Sequence, residues 1–184
     1  MSLRPSMSRV LIIATDGFEQ SELMEPKRLL EEAGIETAVA SLESGEIRGW
    51  KEKEWGDSVA VDMTLDAVDV AEYDALLLPG GQMNPDILRM DETAIGLVKA
   101  FGEAEKPVAA ICHAPWLLAE AGLIDGKTVT AWPSIRTDLA NAGANVVDQE
   151  VATDGYLITS RNPDDIPAFS KALIKAVEGG AQQS

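Results

Sequence analysis

Residues 108–115 read Val108-Ala109-Ala110-Ile111-Cys112-His113-Ala114-Pro115. Four apolar residues lead into a cysteine and a histidine, and a proline follows where a helix can begin. A short, wholly apolar run is the pattern of a strand buried on both faces. Proline is at home in the first turn of a helix, where its missing N–H costs nothing. The chain carries two more runs of this kind, Val10–Ala14 (VLIIA) and Ala75–Leu78 (ALLL), the second stopped by Pro79-Gly80-Gly81. Weaker strand patterns lie at 37–40, 59–61, 128–131, 145–151 and 156–160. Stretches with helical spacing separate them, at 22–33, 91–105, 114–121, 135–142 and 163–178. The stretch 44–57, rich in Gly, Lys, Glu and Trp, reads as an irregular excursion or a hairpin. Apolar strands alternating with helices predict one α/β domain over 1–184. The type is flavodoxin-like and doubly wound, a mostly parallel sheet with helices on both faces. Residues 1–8 and 179–184 are expected to fray.

Composition narrows the functional classes. Of 184 residues, 46% are hydrophobic and 25% charged, which suits a soluble globular protein and excludes disorder or coiled coil for the whole chain. No apolar run approaches the roughly 20 residues of a membrane span. The N-terminus has no apolar signal-peptide core, so the cytoplasm is expected. Acidic residues number 31 against 15 basic, a net charge of −16. That field repels phosphate backbones and anionic membrane surfaces, so neither nucleic acid nor membrane is expected as a partner. Phosphate-cradling GxxxxGK[ST] and GxGxxG motifs are lacking, and no cofactor is expected. The single cysteine excludes an intramolecular disulfide framework and a Cys-cluster metal site, so no metal is expected. The chain also has one histidine, and the two singletons, Cys112 and His113, are adjacent.

Open α/β sheets bind ligands beyond the carboxyl ends of their strands. Three polar clusters follow the apolar runs and would meet there: Thr15-Asp16-Gly17-Phe18-Glu19, Pro79-Gly80-Gly81 and Cys112-His113. A cysteine on a sharp strand-to-helix turn projects its side chain. The adjoining helix N-terminus favours thiolate, so a depressed thiol pKa is expected. His113 could serve as a base or stabilise the thiolate as a cation; it could equally be a satisfied core histidine. Gly80 and Gly81 let the backbone approach a ligand and offer N–H groups, or form an ordinary turn. Glu19 is either a first-turn helix residue or, if protonated, a hydrogen-bond donor to sulfur. Asp86, in Asn84-Pro85-Asp86, marks a helix start. Trp50 and Trp55 suit a ligand wall, an interface anchor or rim packing alike.

Taken together these landmarks resemble the ThiJ/PfpI superfamily, and within it the PfpI branch of intracellular proteases and general stress proteins. Asp16-Gly17-Phe18-Glu19, Leu78-Pro79-Gly80-Gly81, Ala110–Pro115, Asn141-Ala142-Gly143 and Thr159–Pro163 carry the likeness, which runs from about residue 10 to 177. The resemblance implies that Cys112 is the nucleophile, that Glu19 touches its sulfur, and that N–H groups of Gly80, Gly81 and His113 form an oxyanion site. It further implies that His113 is paired by Asp86 of a neighbouring subunit, in a homodimer or larger homo-oligomer. The chain departs from the branch in having Asp at position 86, where Glu is common, and Ala114, where Gly is usual. The activity so implied is a cytoplasmic stress-response enzyme acting on reactive carbonyls or glycated adducts. The alternatives are a cysteine peptidase with a Cys112–His113–Asp86 triad and a non-enzymatic redox sensor or chaperone working through oxidation of Cys112.

Overall fold

A computed structural model describes residues 7–183, with side chains through residue 180. A seven-stranded sheet lies at its centre. In chain order the elements of this sheet are β1 (Arg9–Ile13), β3 (Glu36–Ser41), β6 (Met63–Thr64), β7 (Ala75–Leu78), β8 (Val108–Ile111), β11 (Ala152–Asp154) and β12 (Leu157–Ser160). They are arranged β11-β12-β8-β7-β1-β3-β6, and only β11 runs antiparallel to its neighbour. The five principal strands, taken in the order they occur in the chain, lie as 2-1-3-4-5. This is the flavodoxin-like arrangement expected from the alternation. The helices are α1 (Gln20–Glu32), α2 (Met83–Leu88), α3 (Glu92–Glu103), α4 (Pro115–Glu120), α5 (Arg136–Asn141) and α6 (Ile166–Gln183).

Successive strand residues point to opposite faces, and the core divides accordingly. Leu11, Ile13, Leu76, Leu78, Val108 and Ala110 pack with Ile95, Val98 and Phe101 of α3, Leu117 and Leu118 of α4, and Leu139 of α5. Val10, Ile12, Ala75, Leu77, Ala109 and Ile111 pack with Leu23 and Leu30 of α1, and Phe169, Leu173 and Val177 of α6. Each such aliphatic side chain contributes roughly 1.5–3 kcal/mol by leaving water. Buried on both faces, the strands must be apolar throughout, which is why VLIIA, ALLL and VAAI stand out.

Several boundaries differ from expectation. The excursion at 44–57 is a long hairpin, β4 (Gly45–Lys51) and β5 (Glu54–Val61), and it absorbs the strand expected at 59–61. It pairs with β2 (Phe18–Glu19), so the hairpin braces the loop after β1. The Asp16 carboxylate accepts from the Arg48 N–H (2.7 Å), and Gln20 and Asp57 exchange two hydrogen bonds. Trp50 and Trp55 meet edge to face within the hairpin at 5.4 Å, with Arg48 over the Trp55 ring. Residues 128–131 form only β9 (Thr128–Val129), which pairs with β10 (Asn145–Val146) outside the main sheet. α6 continues through Gly179 and Gly180 to Gln183. The leader falls mostly outside the described residues. Among the described residues no helix is long and apolar enough to cross a membrane.

Candidate active site

The order of the sheet reverses between β1 and β7, and the carboxyl ends of β1, β7 and β8 open at that point. Cys112 follows β8 immediately and adopts a left-handed backbone, φ 66°. For a non-glycine residue this costs on the order of 1–3 kcal/mol and persists only when its surroundings dictate it. Two hydrogen bonds do so: the Cys112 N–H donates to the Ser160 carbonyl (3.0 Å), and its carbonyl accepts from the Trp132 N–H (2.9 Å). The bend throws the side chain inward, leaving Cys112 only 6% exposed.

The carboxyl beside the thiol belongs to Glu22, not Glu19. In α1, Glu22, Pro26 and Leu30 recur every four residues and are buried. Glu22 thus lies on the stripe that faces the sheet, and it has no exposure at all. Its Oε1 accepts a 2.9 Å hydrogen bond from the Gly80 N–H. Its Oε2 has no partner of good geometry and is left with the Cys112 thiol as its polar neighbour. Burial, and then the charge of Glu19, push the Glu22 carboxyl up to about 8. It is therefore protonated at neutral pH. Glu19, the residue that precedes α1, is half-buried and its side chain makes no capping hydrogen bond. It reaches the thiol only through its charge.

Gly80 is corrected as well. Its N–H is committed to Glu22, which removes it from the oxyanion donors. Gly81 and His113 supply the N–H groups directed at the sulfur. Gly81 can do so because φ is +90° and there is no Cβ; one would meet the Gly17 carbonyl at 2.5 Å and the Glu19 nitrogen at 2.7 Å.

The expected depression of the thiol pKa is not obtained. Burial, and then the charge of Glu22, push the Cys112 thiol up, and the Gly81 and His113 N–H groups only partly oppose this. Thiol and carboxyl act as a coupled pair. Once one proton has left, the other is shared, and thiolate beside carboxylic acid is the same protonation level as thiol beside carboxylate. The two N–H donors at sulfur favour the thiolate form, while the Gly80 N–H favours the carboxylate.

His113 Nδ1 lies 3.1 Å from Cys112 Sγ. Its ring stacks on Trp132 (5.8 Å, 23°) and meets Trp116 edge-on (5.3 Å, 66°). Burial lowers its pKa and so favours the neutral imidazole. Asp86 does not reach it: it is exposed in the first turn of α2, and no hydrogen bond or ion pair joins it to His113 within the chain. Asn84, by contrast, is fully buried and laces the site together. Its Nδ2 donates to the Pro79 and Gly80 carbonyls (2.9 and 3.1 Å), and its Oδ1 accepts from the Thr15 N–H (2.8 Å). Among the described residues no group of three or more His, Cys, Asp or Glu is gathered as metal ligands would be.

The structure brings Cys112, His113 and Gly81, all singled out from the sequence, to one place, together with Glu22, Asn84, Trp116 and Trp132, which the sequence did not single out for the site. The signal for Glu22 was its place on the buried stripe of α1. Asn84, in the first turn of α2, and Trp132, in a loop, act through long-range contacts and leave no comparable trace.

Known proteins share this arrangement of chain. The model of the DJ-1/PfpI family matches residues 8–176. A deglycase of Thermococcus kodakarensis is 43% identical over 167 residues, covering 91% of this chain and 98% of that protein. General stress protein 18 of Bacillus subtilis is 44% identical over 171 residues, covering 92% and 98%. The crystal structure of Drosophila melanogaster DJ-1beta superimposes with a TM-score of 0.83 at 29% identity, over 96% of this chain and 97% of that one. With nearly its whole length matched by the family model and by relatives of the same size, the chain belongs to the DJ-1/PfpI family.

Proposed function

We propose that this chain is a cytoplasmic stress-response enzyme in which Cys112 attacks small reactive carbonyls, or their adducts on proteins. The observation that carries the reading is the buried Cys112 held between a protonatable Glu22 and the His113 imidazole. The names of the T. kodakarensis and B. subtilis relatives agree with it. In the thiolate form, sulfur adds to an aldehyde carbon of glyoxal, and the carbonyl electron pair moves to oxygen. The Gly81 and His113 N–H groups stabilise that oxygen as charge develops, and Glu22 supplies its proton, giving a hemithioacetal. His113 as base takes the proton from the carbon that bears sulfur and returns it to the neighbouring carbon, while the hemithioacetal hydroxyl gives up its proton and the oxygen on that neighbouring carbon gains one. The result is a thioester of glycolate, which water hydrolyses to release Cys112. The net change is glyoxal plus water to glycolate.

A second reading, a cysteine peptidase, is favoured by the 3.1 Å Cys112–His113 contact. It needs a carboxylate for His113 that its own chain does not supply, so it requires the Asp86 of a second subunit. Steady-state turnover of glyoxal, with none of peptide amides, supports the carbonyl reading. The reverse result rejects it. The net charge of −16 leads us to expect no retention on immobilised DNA at ~150 mM salt.

A further inference from the structure

The two peptide groups that hold Cys112 in its left-handed conformation come from separate segments, Ser160 at the end of β12 and Trp132 after β9. Ser160 is held by the main sheet, paired with Ile111 of β8, whereas Trp132 lies in a loop with its ring partly in solvent. A chain of four charged side chains spans the two. Arg161, next to Ser160, grips the buried Asp165 through Nε and Nη2 (2.9 Å each), and its own N–H donates to the same carboxylate (2.9 Å). Its Nη1 reaches Asp148 Oδ1 at 3.0 Å. The same oxygen accepts from Arg136 Nη2 at 3.1 Å. Arg136 Nε then donates to the carbonyl of Ala131, next to Trp132 (3.1 Å).

We infer that Arg136 is a positioning residue for the Cys112–His113 pair, acting through Ala131 and Trp132, with Asp148 as the bridge that ties it to Arg161. Three features carry this. First, Trp132 is a double contact of the site: its N–H holds the Cys112 carbonyl and its ring stacks on the His113 imidazole. Second, Arg136 uses two different guanidinium nitrogens for two different partners, a geometry that a lysine point charge cannot reproduce. Third, a single carboxylate oxygen of Asp148 receives both arginines, so the two segments are coupled rather than anchored separately. The left-handed turn at Cys112 is strained; the sheet holds it from the Ser160 side, and this chain of contacts holds it from the Trp132 side. The inference rests on the reading that Cys112 and His113 perform the chemistry, but its test reads thiol and imidazole directly and needs no substrate.

The chain has one histidine, so its ring resonances are unambiguous by NMR. Arg136→Ala and Asp148→Ala, shown to be folded by circular dichroism, are compared with wild type for those resonances and for the rate of Cys112 alkylation by iodoacetamide. The expected result is that the imidazole protons lose the shielding of the Trp132 ring and that alkylation slows on the order of tenfold, as a sub-ångström displacement from the donors would produce. Arg136→Lys should recover only part of both. If Arg136→Ala does not fold, Asp148→Ala and wild type in ~1 M salt, where exposed ion pairs are screened within about 3 Å, carry the test. They should shift the imidazole resonances in the same direction. Wild-type imidazole resonances in either folded variant overturn the inference, whatever happens to the alkylation rate. Inactivity of the wild type towards glyoxal would reject the proposed reaction and leave this result standing.

Discussion

Gly80 and Glu22, 58 residues apart, are joined by a 2.9 Å hydrogen bond from the glycine N–H to the carboxyl Oε1. This bond fixes the carboxyl's orientation and leaves its second oxygen for the thiol of Cys112. It also explains why the turn after β7 must be glycine. A Cβ on Gly80 would lie 2.5 Å from Glu22 Oε1, 2.6 Å from the Ile111 carbonyl and 2.7 Å from Cys112 Cβ. Two of the three obstacles are the reacting groups themselves.

Gly80→Ala should therefore damage the site more than the fold. Overpacking of this kind costs typically about 1–3 kcal/mol, which a core of this size can tolerate. The expected outcome is a folded protein with a lowered melting temperature whose Cys112 alkylates at a grossly altered rate. Thermal melts and iodoacetamide kinetics on one preparation check this. An unchanged alkylation rate would show that the turn can move away from the sulfur.

Replacements of Glu22 separate its proton from its shape. Glu22→Gln keeps a donor for the sulfur and a partner for the Gly80 N–H, so a reactive thiolate should survive within a few fold. Glu22→Leu removes both, leaves the Gly80 N–H buried without an acceptor at a cost of about 1–3 kcal/mol, and should shift the pH midpoint of alkylation upward. The matching Glu19→Gln and Glu19→Leu pair should behave alike, because among the described residues the Glu19 side chain has no hydrogen bond to lose. Alkylation profiles across pH decide it. A larger effect at Glu19 than at Glu22 would restore the assignment made from the sequence.

The buried carboxyl also makes stability depend on pH. Its folded value is about 8 against an ordinary 4.5. Between these values the folded state therefore binds more protons than the unfolded one, and stability falls as pH rises. The contribution is fully present below about 4.5 and is lost as pH climbs through about 8. A shift of this size is worth on the order of 5 kcal/mol. Chemical denaturation of the wild type from pH 5 to 8.5 should show the decline, and Glu22→Gln should flatten it. Parallel curves for the two proteins would remove Glu22 as the cause.

How much of this was legible in advance follows from where the information lies. The sheet could be read because strands buried on both faces must be continuously apolar, and ALLL and VAAI matched observed strands residue for residue. Cys112 could be read because an apolar strand, a lone thiol and a proline-led helix coincide in eight residues. Glu22 was overlooked in favour of Glu19 because position after a strand was weighed above position on a helix face. The Gly80 N–H was counted as free because a backbone donor's partner, 58 residues away, leaves no local mark. Residues 128–131 and 145–151 contained strand-like residues, but only two residues of each form a strand, and the second stretch carries Asp148. Asp148 pairs there with Arg136 and Arg161, long-range contacts which no periodicity records.

Among the described residues of its own chain, no carboxylate is hydrogen-bonded to His113. A histidine that acts as a base is usually held in one orientation and tautomer by an acidic partner. Trp132 and Trp116 fix the ring here by packing, but neither accepts a proton. Asp86 sits on α2, which packs against α4 and β2 beside the site, and its carboxylate faces outward. It shares that short helix with exposed Met83 and Ile87, and Met90 just beyond is 77% exposed. Apolar side chains in that setting suit a surface that meets another copy. In a two-fold dimer the contact is reciprocal, so each Asp86 would approach the other subunit's His113. Asp86→Ala should then leave the fold intact and lower kcat far more than the alkylation rate, since the thiol keeps Glu22 and both N–H donors. Mixing inactive Cys112→Ala with weakened Asp86→Ala subunits should restore activity, because one site of each heterodimer contains an intact Cys112 and its partner's intact Asp86. Subunit exchange is verified by native mass spectrometry of tagged chains. Exchange without recovery would show that the site is not shared, and a strictly monomeric chain by light scattering would exclude the arrangement altogether.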